Sequence, residues 1–186
     1  MILYHTGFAE IKTPDIYYGR KNADFGQGFY LTPDLEFSEH WAKERNGFKT
    51  FHNVYELDTD GLKIKHLSRN REWFDYISAN RHLKTDVFAD YDIIIGPIAN
   101  DTIYDVLGVT TSGFLDPEES LRLLMIGPEY TQVSMKTEKA ASKLEWKSAK
   151  ILDADTIASF HEALVREEME YQKLFAAEFD RITDRS

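Results

Sequence analysis

The run Tyr91-Asp92-Ile93-Ile94-Ile95-Gly96 constrains the fold of this chain more than any other stretch. Its centre shows no alternation of apolar and polar positions, and β-branched side chains suit a pleated strand. It reads as a strand buried on both faces, which needs apolar cover above and below. Strands are also expected over residues 3–5, 29–31, 53–58, 62–67, 132–135 and 146–152. Residues 62–67 alternate apolar with basic positions and read as half-buried. Helices are expected over 35–44, 71–80, 100–107, 117–125 and 138–144. In the first, Phe37, Trp41 and Ala42 share a face; in the second, Trp73, Phe74 and Ile77 do. Asp116 with Pro117, and Thr137, read as helix starts. The chain closes on a long amphipathic helix over 155–182, with Ile157, Phe160, Leu164, Leu174, Phe175 and Phe179 as its stripe. The fold class is α+β with mostly short strands, in one domain over 1–186.

Composition narrows the chemistry. The 186 residues with 42% hydrophobic content suit a globular domain with a real core. There is no cysteine, which removes disulfides, thiolate chemistry and cysteine zinc sites. The six histidines show no paired ligand spacing, so no metal is expected. A net charge of −10 argues against broad docking on a nucleic-acid backbone, though a local pocket for a small anion stays open. No basic leader precedes the first strand and no stretch reaches membrane-spanning length, so a soluble, cytoplasmic protein is expected. The sequon Asn100-Asp101-Thr102 is read as a chance match.

The stretch Asp24-Phe25-Gly26-Gln27-Gly28-Phe29-Tyr30-Leu31-Thr32 carries the most chemistry, together with Leu3-Tyr4-His5-Thr6-Gly7. Glycine allows close backbone approach, and an aromatic ring offers a flat face to a flat ligand. Thr131-Gln132-Val133-Ser134-Met135 adds one amide in a small or apolar setting. Together they suggest a nucleotide pocket built from three strands far apart in sequence. Asp24-Phe25-Gly26 is not a kinase signature, because the catalytic-loop Asp and Asn and the strand-borne Lys are missing. Gly26-x-Gly28 is no dinucleotide fingerprint, since no third glycine follows and a strand comes next. A plain glycine turn, an ordinary strand histidine at His5, a core tyrosine at Tyr30 and a satisfied strand amide at Gln132 stand as alternative readings.

These pieces resemble the signatures of ADP-ribosyltransferases of the His-Tyr-Glu type. Tyr4-His5 is similar to the first, and Gly28-Phe29-Tyr30-Leu31-Thr32 to the second. Gln132 matches the third, which normally ends in Glu. More closely, the chain resembles the bacterial family DUF3990. The resemblance rests on Tyr-His, on the nonapeptide, on Asn80-Arg81 before Tyr-Asp-Ile-Ile-Ile-Gly-Pro, and on Gln132-Val133 before Thr137-Glu138-Lys139. It implies a split β-sheet core with surrounding helices, binding NAD⁺ as co-substrate, and a toxin paired with a small antitoxin. It also implies roles. His5 would bond the adenosine ribose, and the backbone of Thr6 and Gly7 would hold the nicotinamide amide. Tyr30 would stack on the nicotinamide, with Phe29 on the opposite face of the strand. Gln132 would hold the ribose 2′-hydroxyl. Gly28, Phe29 and Thr32 complete the expected NAD⁺-binding strand.

Arg20 and Arg81 are candidates for the pyrophosphate, with Arg20 preferred; Arg81, following Asn80 at a helix end, reads equally as a cap or a salt-bridge partner. Asp24 would orient Arg20 or fix the turn, and Asp101 would cap a helix. Neither Glu129 nor Glu138 has the strand parity or spacing to replace Gln132. NAD⁺ glycohydrolysis, or a degenerate NAD⁺- or partner-binding module, are the alternative functions. The acceptor of a transferase is open, and the C-terminal helix is either core or a docking helix for an antitoxin or a second copy.

Overall fold

In the computed structural model the described residues are 1–100 and 113–184. They form a mixed α+β fold of two small sheets, flanking helices and one long C-terminal helix. The first sheet has the order β1-β3-β7, from β1 (Ile2–Gly7), β3 (Thr50–Leu57) and β7 (Leu144–Leu152). All its pairs are antiparallel. The second has the order β2-β6-β5-β4, from β2 (Phe29–Leu31), β6 (Thr131–Met135), β5 (Ile93–Pro97) and β4 (Ile64–His66). Only β4 and β5 run parallel there.

The isoleucine run behaves as the sequence predicts. Ile93 and Ile95 join the core between the two sheets, with Leu3, Phe29, Leu31, Tyr55, Val133 and Met135. Ile94 points to the opposite face, into a second core with Phe25, Trp73, Tyr76 and Ile77. Every residue of β5 is buried. The second core is covered by α2 (Arg71–Arg81), whose Asn70 side chain caps Trp73 N–H. Trp73 is fully buried and donates Nε1–H to the Pro97 carbonyl at 2.8 Å, so the exit of β5 is tied to this helix.

Three further helices follow α2 among the described residues. Asp116 caps α3 (Pro117–Leu124) in a full capping box with Glu119. Thr137 caps α4 (Glu138–Ser142). The 30-residue α5 (Ala154–Thr183) buries Tyr171, Phe175 and Ile182 against Leu115 and Leu123. Among the described residues no helix is long and apolar enough to cross a membrane.

Three expectations are corrected. The helix expected over 35–44 is α1 (Leu35–Glu39), five residues long. It stops because its next residues are drawn to different partners. His40 packs edge-on against Tyr130, and Ala42 packs with Leu152 and Ile157. The helix expected to run through Leu144 ends at Ser142, since Leu144 opens β7 opposite Leu57. Leu174 is not part of the buried stripe of α5; it is 48% exposed. The helix expected over 100–107 and the cap at Asp101 lie outside the described residues, apart from Asn100. That residue is buried and donates to the Ile126 and Pro128 carbonyls.

Candidate functional site

The two sheets meet through one bridged pair. Tyr4 of β1 and Thr32 beyond β2 exchange both backbone bonds, at 2.8 and 3.0 Å. An unbroken antiparallel ladder would continue from this pair. It does not, because the His5 side chain takes the Tyr30 carbonyl, with Nδ1 to oxygen 2.8 Å. The strands part there, and a cleft of about 250 Å³ opens at the seam. β1 brings Tyr4, His5 and Thr6 to it; β2 and its exit bring Tyr30, Leu31 and Thr32; β6 brings Gln132. Thus the three sequence motifs, more than 100 residues apart at their extremes, do converge.

The carbonyl of Tyr30 can only accept, so His5 Nδ1 carries the proton and Nε2 offers a lone pair while the ring is neutral. Burial holds the His5 pKa below the ordinary histidine value, and the bond to Tyr30 opposes this only in part. Its ring packs 4.8 Å from that of Phe29. Phe29 itself is buried in the core between the sheets and does not line the cleft.

Tyr30 lines the cleft, packs against the second core, and has its hydroxyl committed inside the protein. The hydroxyl donates to the Gly26 carbonyl at 2.6 Å and accepts from Phe25 N–H at 3.0 Å. Burial, then the nearby Asp24 carboxylate, pushes its pKa well above the ordinary phenol range. Gly26 sits at φ +72, a left-handed turn that suits glycine. Gly28 is glycine for a different reason: a Cβ there would lie 2.5 Å from Ser134 Oγ and 2.6 Å from the Met135 carbonyl. It serves the β2–β6 pairing and not the cleft lining. Gly7 also stands outside the lining; a Cβ on it would approach His5 Nε2 to 3.2 Å.

Thr32 lines the cleft, but its hydroxyl is used inside the protein, donating to the Thr131 carbonyl at 2.7 Å and accepting from Asp34 N–H at 3.0 Å. The Thr6 hydroxyl is buried in the cleft wall with no hydrogen-bond partner among the described residues. A buried hydroxyl of this kind is costly unless a ligand or water meets it.

Asp24 does not orient Arg20. Its Oδ1 accepts from Arg81 Nε at 2.9 Å and pairs with Nη2 at 2.8 Å. Its Oδ2 accepts from Ala99 N–H at 3.2 Å and from Gln132 Nε2 at 3.4 Å. Asn80 donates to its backbone carbonyl. The glycine turn is therefore clamped by α2, and Lys136 adds a donor to the Phe25 carbonyl. Of the two arginine candidates, Arg81 is the buried structural partner. Arg20 is exposed at the cleft and makes no hydrogen bond or ion pair among the described residues. Asp92 is structural: it accepts from Lys63 N–H, Thr137 Oγ1 and Lys139 Nζ. Glu129 and Glu138 do not line the cleft.

The sequence reading missed the far wall. Phe37 and Trp41 follow the bridge and line the cleft, Trp41 with 39% of its surface exposed. Both were read only as one helix face. Ser38 is also there, donating to the Leu35 carbonyl and so accepting from His52 Nε2 at 2.8 Å, while the His52 ring stacks on Tyr4 at 5.3 Å. A half-exposed tryptophan at a cleft is a surface fact that helical spacing does not carry.

The structure thus defines an α+β protein with two small sheets and a ligand-sized cleft where they part. Residues 1–146 match the family described as a protein of unknown function, DUF3990, and the chain belongs to that family. No curated protein matches it.

Proposed function

We propose that this chain is an NAD⁺-dependent ADP-ribosyltransferase-like enzyme. The observation that supports it best is the convergence of His5, Tyr30 and Gln132 on one cleft at the parting of the two sheets. Those are the positions that resemble the three transferase signatures, and nothing in their local sequence requires them to meet. The split between β1 and β2 agrees with the split β-sheet core that the resemblance implies.

The chemistry follows from the residues. The bond between the nicotinamide nitrogen and ribose C1′ breaks, its electron pair leaves on nicotinamide, and positive charge develops on the ribose. A nucleophile on the acceptor forms the new bond to C1′ and loses its proton. Tyr30 gives an aromatic face to the nicotinamide, with its ring fixed because the hydroxyl is bonded to the glycine turn. His5, neutral with a free Nε2, accepts from a ribose hydroxyl. Thr6 Oγ1 supplies a buried hydroxyl in want of a partner. Arg20, exposed at the cleft, meets the pyrophosphate as a forked donor. Trp41 offers a second flat face at the opposite wall. Rigid placement of both halves of the dinucleotide is how remote binding energy reaches the breaking bond. The resemblance extends the proposal to a toxin held by a small antitoxin.

The test is incubation with NAD⁺ labelled on the adenine side, alone and with cell lysate, following nicotinamide release and label transfer. Label on a macromolecule supports a transferase. Nicotinamide release with free ADP-ribose alone makes it a glycohydrolase. If neither occurs and NAD⁺ does not bind, the proposal fails.

A further inference from the structure

Among the described residues lining the cleft, Asp24 is the one carboxylate. It is 7% exposed, and groups from three elements converge on it: Arg81 from α2, Ala99 N–H beyond β5, and Gln132 from β6. A buried carboxylate is tolerated when it is paired and hydrogen-bonded in this way.

The arrangement fixes Gln132. Its Nε2 faces two acceptors, Asp24 Oδ2 and the Pro97 carbonyl, each at 3.4 Å. The flipped amide would set its oxygen against a carboxylate and a carbonyl, so the NH₂ group belongs on that side. The amide oxygen is thereby turned away from both and is the acceptor that this cleft-lining residue keeps. A Glu at this position would set a second carboxylate where Nε2 now lies, 3.4 Å from the first. Two such carboxylates do not both ionise comfortably in a shielded site.

We propose that Asp24 is the positioning residue of this site and bears its negative charge, which is why position 132 holds an amide. Asp24 locks Gln132 as a neutral acceptor for a substrate hydroxyl. The carboxylate that would otherwise stand on β6 to face developing positive charge is placed one residue further back. This rests on the proposed function, in which the positive charge develops on the ribose of NAD⁺.

The test compares four full-length proteins: wild type, Gln132→Glu, Asp24→Asn, and the double variant that moves the charge from 24 to 132. Nicotinamide release from NAD⁺ is the first readout. Asp24→Asn should lower kcat at least tenfold while KM moves less than threefold, and Gln132→Glu should lower kcat to a similar degree. The double variant should recover at least tenfold over the product of the two single losses. A purely structural Asp24 would give additive losses, and that result overturns the proposal. So does a Gln132→Glu protein more active than wild type.

The second readout needs no substrate: melting temperature from pH 5 to pH 8. The charged and titratable groups around the pair among the described residues are Arg81 from α2, Arg20 before the glycine turn, His5 of β1, Tyr30 of β2, and Lys136 with Asp86 at the glycine turn, all present in every variant. In Gln132→Glu one carboxyl of the pair has a raised pKa in the folded protein. Its deficit against wild type should therefore grow as pH rises, and vanish in the double variant. A deficit independent of pH overturns the coupling. If wild type releases no nicotinamide, the functional reading fails, while the pH series still decides whether 24 and 132 are coupled. Should Asp24→Asn not fold, Gln132→Glu alone carries both readouts, since it keeps Asp24 in place.

Discussion

Replacing Tyr30 by Phe separates the bonds of its hydroxyl to the glycine turn from the ring contact that the proposed function assigns to the same side chain. The hydroxyl bonds Gly26 O at 2.6 Å and Phe25 N–H at 3.0 Å, and both residues are buried. Losing two neutral hydrogen bonds costs about 1–3 kcal/mol, and leaving the buried donor and acceptor unmet moves the value to the upper part of that range. The side chain is only half-buried, so water at the cleft can meet part of the demand. The expected loss is about 2 kcal/mol. For a chain of this length that is a fall of roughly 4–8 °C in melting temperature.

The ring stays in place in Tyr30→Phe, so affinity for NAD⁺ should change by less than about twofold. Tyr30→Ala removes the ring as well. By analogy with base–aromatic stacking it should weaken binding by about 1–3 kcal/mol, roughly 5- to 150-fold. Thermal and urea unfolding measure the first effect; calorimetric titration of NAD⁺ measures the second. A melting temperature for Tyr30→Phe within about 1 °C of wild type would refute the clamp on the glycine turn. Equal affinity losses in the Phe and Ala variants would mean that the ligand uses the hydroxyl and not the ring.

The other perturbations are simpler. Gly28→Ala should be strongly destabilising, by more than about 2 kcal/mol, because the new Cβ meets backbone at 2.6 Å in the β2–β6 ladder; amide exchange at Tyr30 and Ser134 would show the ladder opening. His5 and His52 both have pKa values lowered by burial, so the unfolded chain takes up protons first. The stability they support is full above about pH 6.5 and falls as pH drops below it toward the lowered values. A His5→Gln, His52→Gln variant should show a flatter stability curve between pH 6.5 and 5, where the carboxylates common to both proteins cancel in the difference. Asp116→Ala removes the side-chain half of the α3 capping box, leaving the bond from the residue-116 N–H to Glu119, and should cost about 1 kcal/mol in urea unfolding.

What could be read from the chain depended on the range of the interaction. The strand at Ile93–Ile95 was legible because burial on both faces leaves an unbroken apolar run. The starts of α3 and α4 were legible because Asp116-Pro117 and Thr137 act on their own next turn. The early stop of α1 was not: Phe37, Trp41 and Ala42 fit a helical face, and only distant Tyr130, Leu152 and Ile157 end it. Leu174 illustrates the same limit, because periodicity gives the apolar side of a helix and not how far along it other elements reach. In the site, His5, Tyr30 and Gln132 were found by pattern, whereas the bond from Arg81 to Asp24 spans 57 residues and leaves no local trace. The preference for Arg20 as the free cation agrees with its exposure. Of the two readings of Asp24, the one that orients Arg20 gives way to the one that fixes the turn, because Arg81 from α2 takes the carboxylate.

The long C-terminal helix joins these two levels. The family match ends at residue 146, inside β7, so all of α5 lies beyond it. Yet α5 reaches back to the cleft wall. Tyr130 donates its hydroxyl to Glu167 at 2.7 Å, and buried His40 lies 3.8 Å from the same carboxylate. The Tyr130 ring stacks at 4.6 Å on Phe37, and its carbonyl accepts from Ile98 N–H; Phe37 and Ile98 both line the cleft. Gln132 follows two residues later, in β6. Part of the apolar side of α5 packs on Leu115 and Leu123 and part on Ala42 and Leu152, while Met169 and Leu174 stay exposed. Its polar side then has a task as well: through Glu167 it steadies the segment that delivers Gln132 to the cleft.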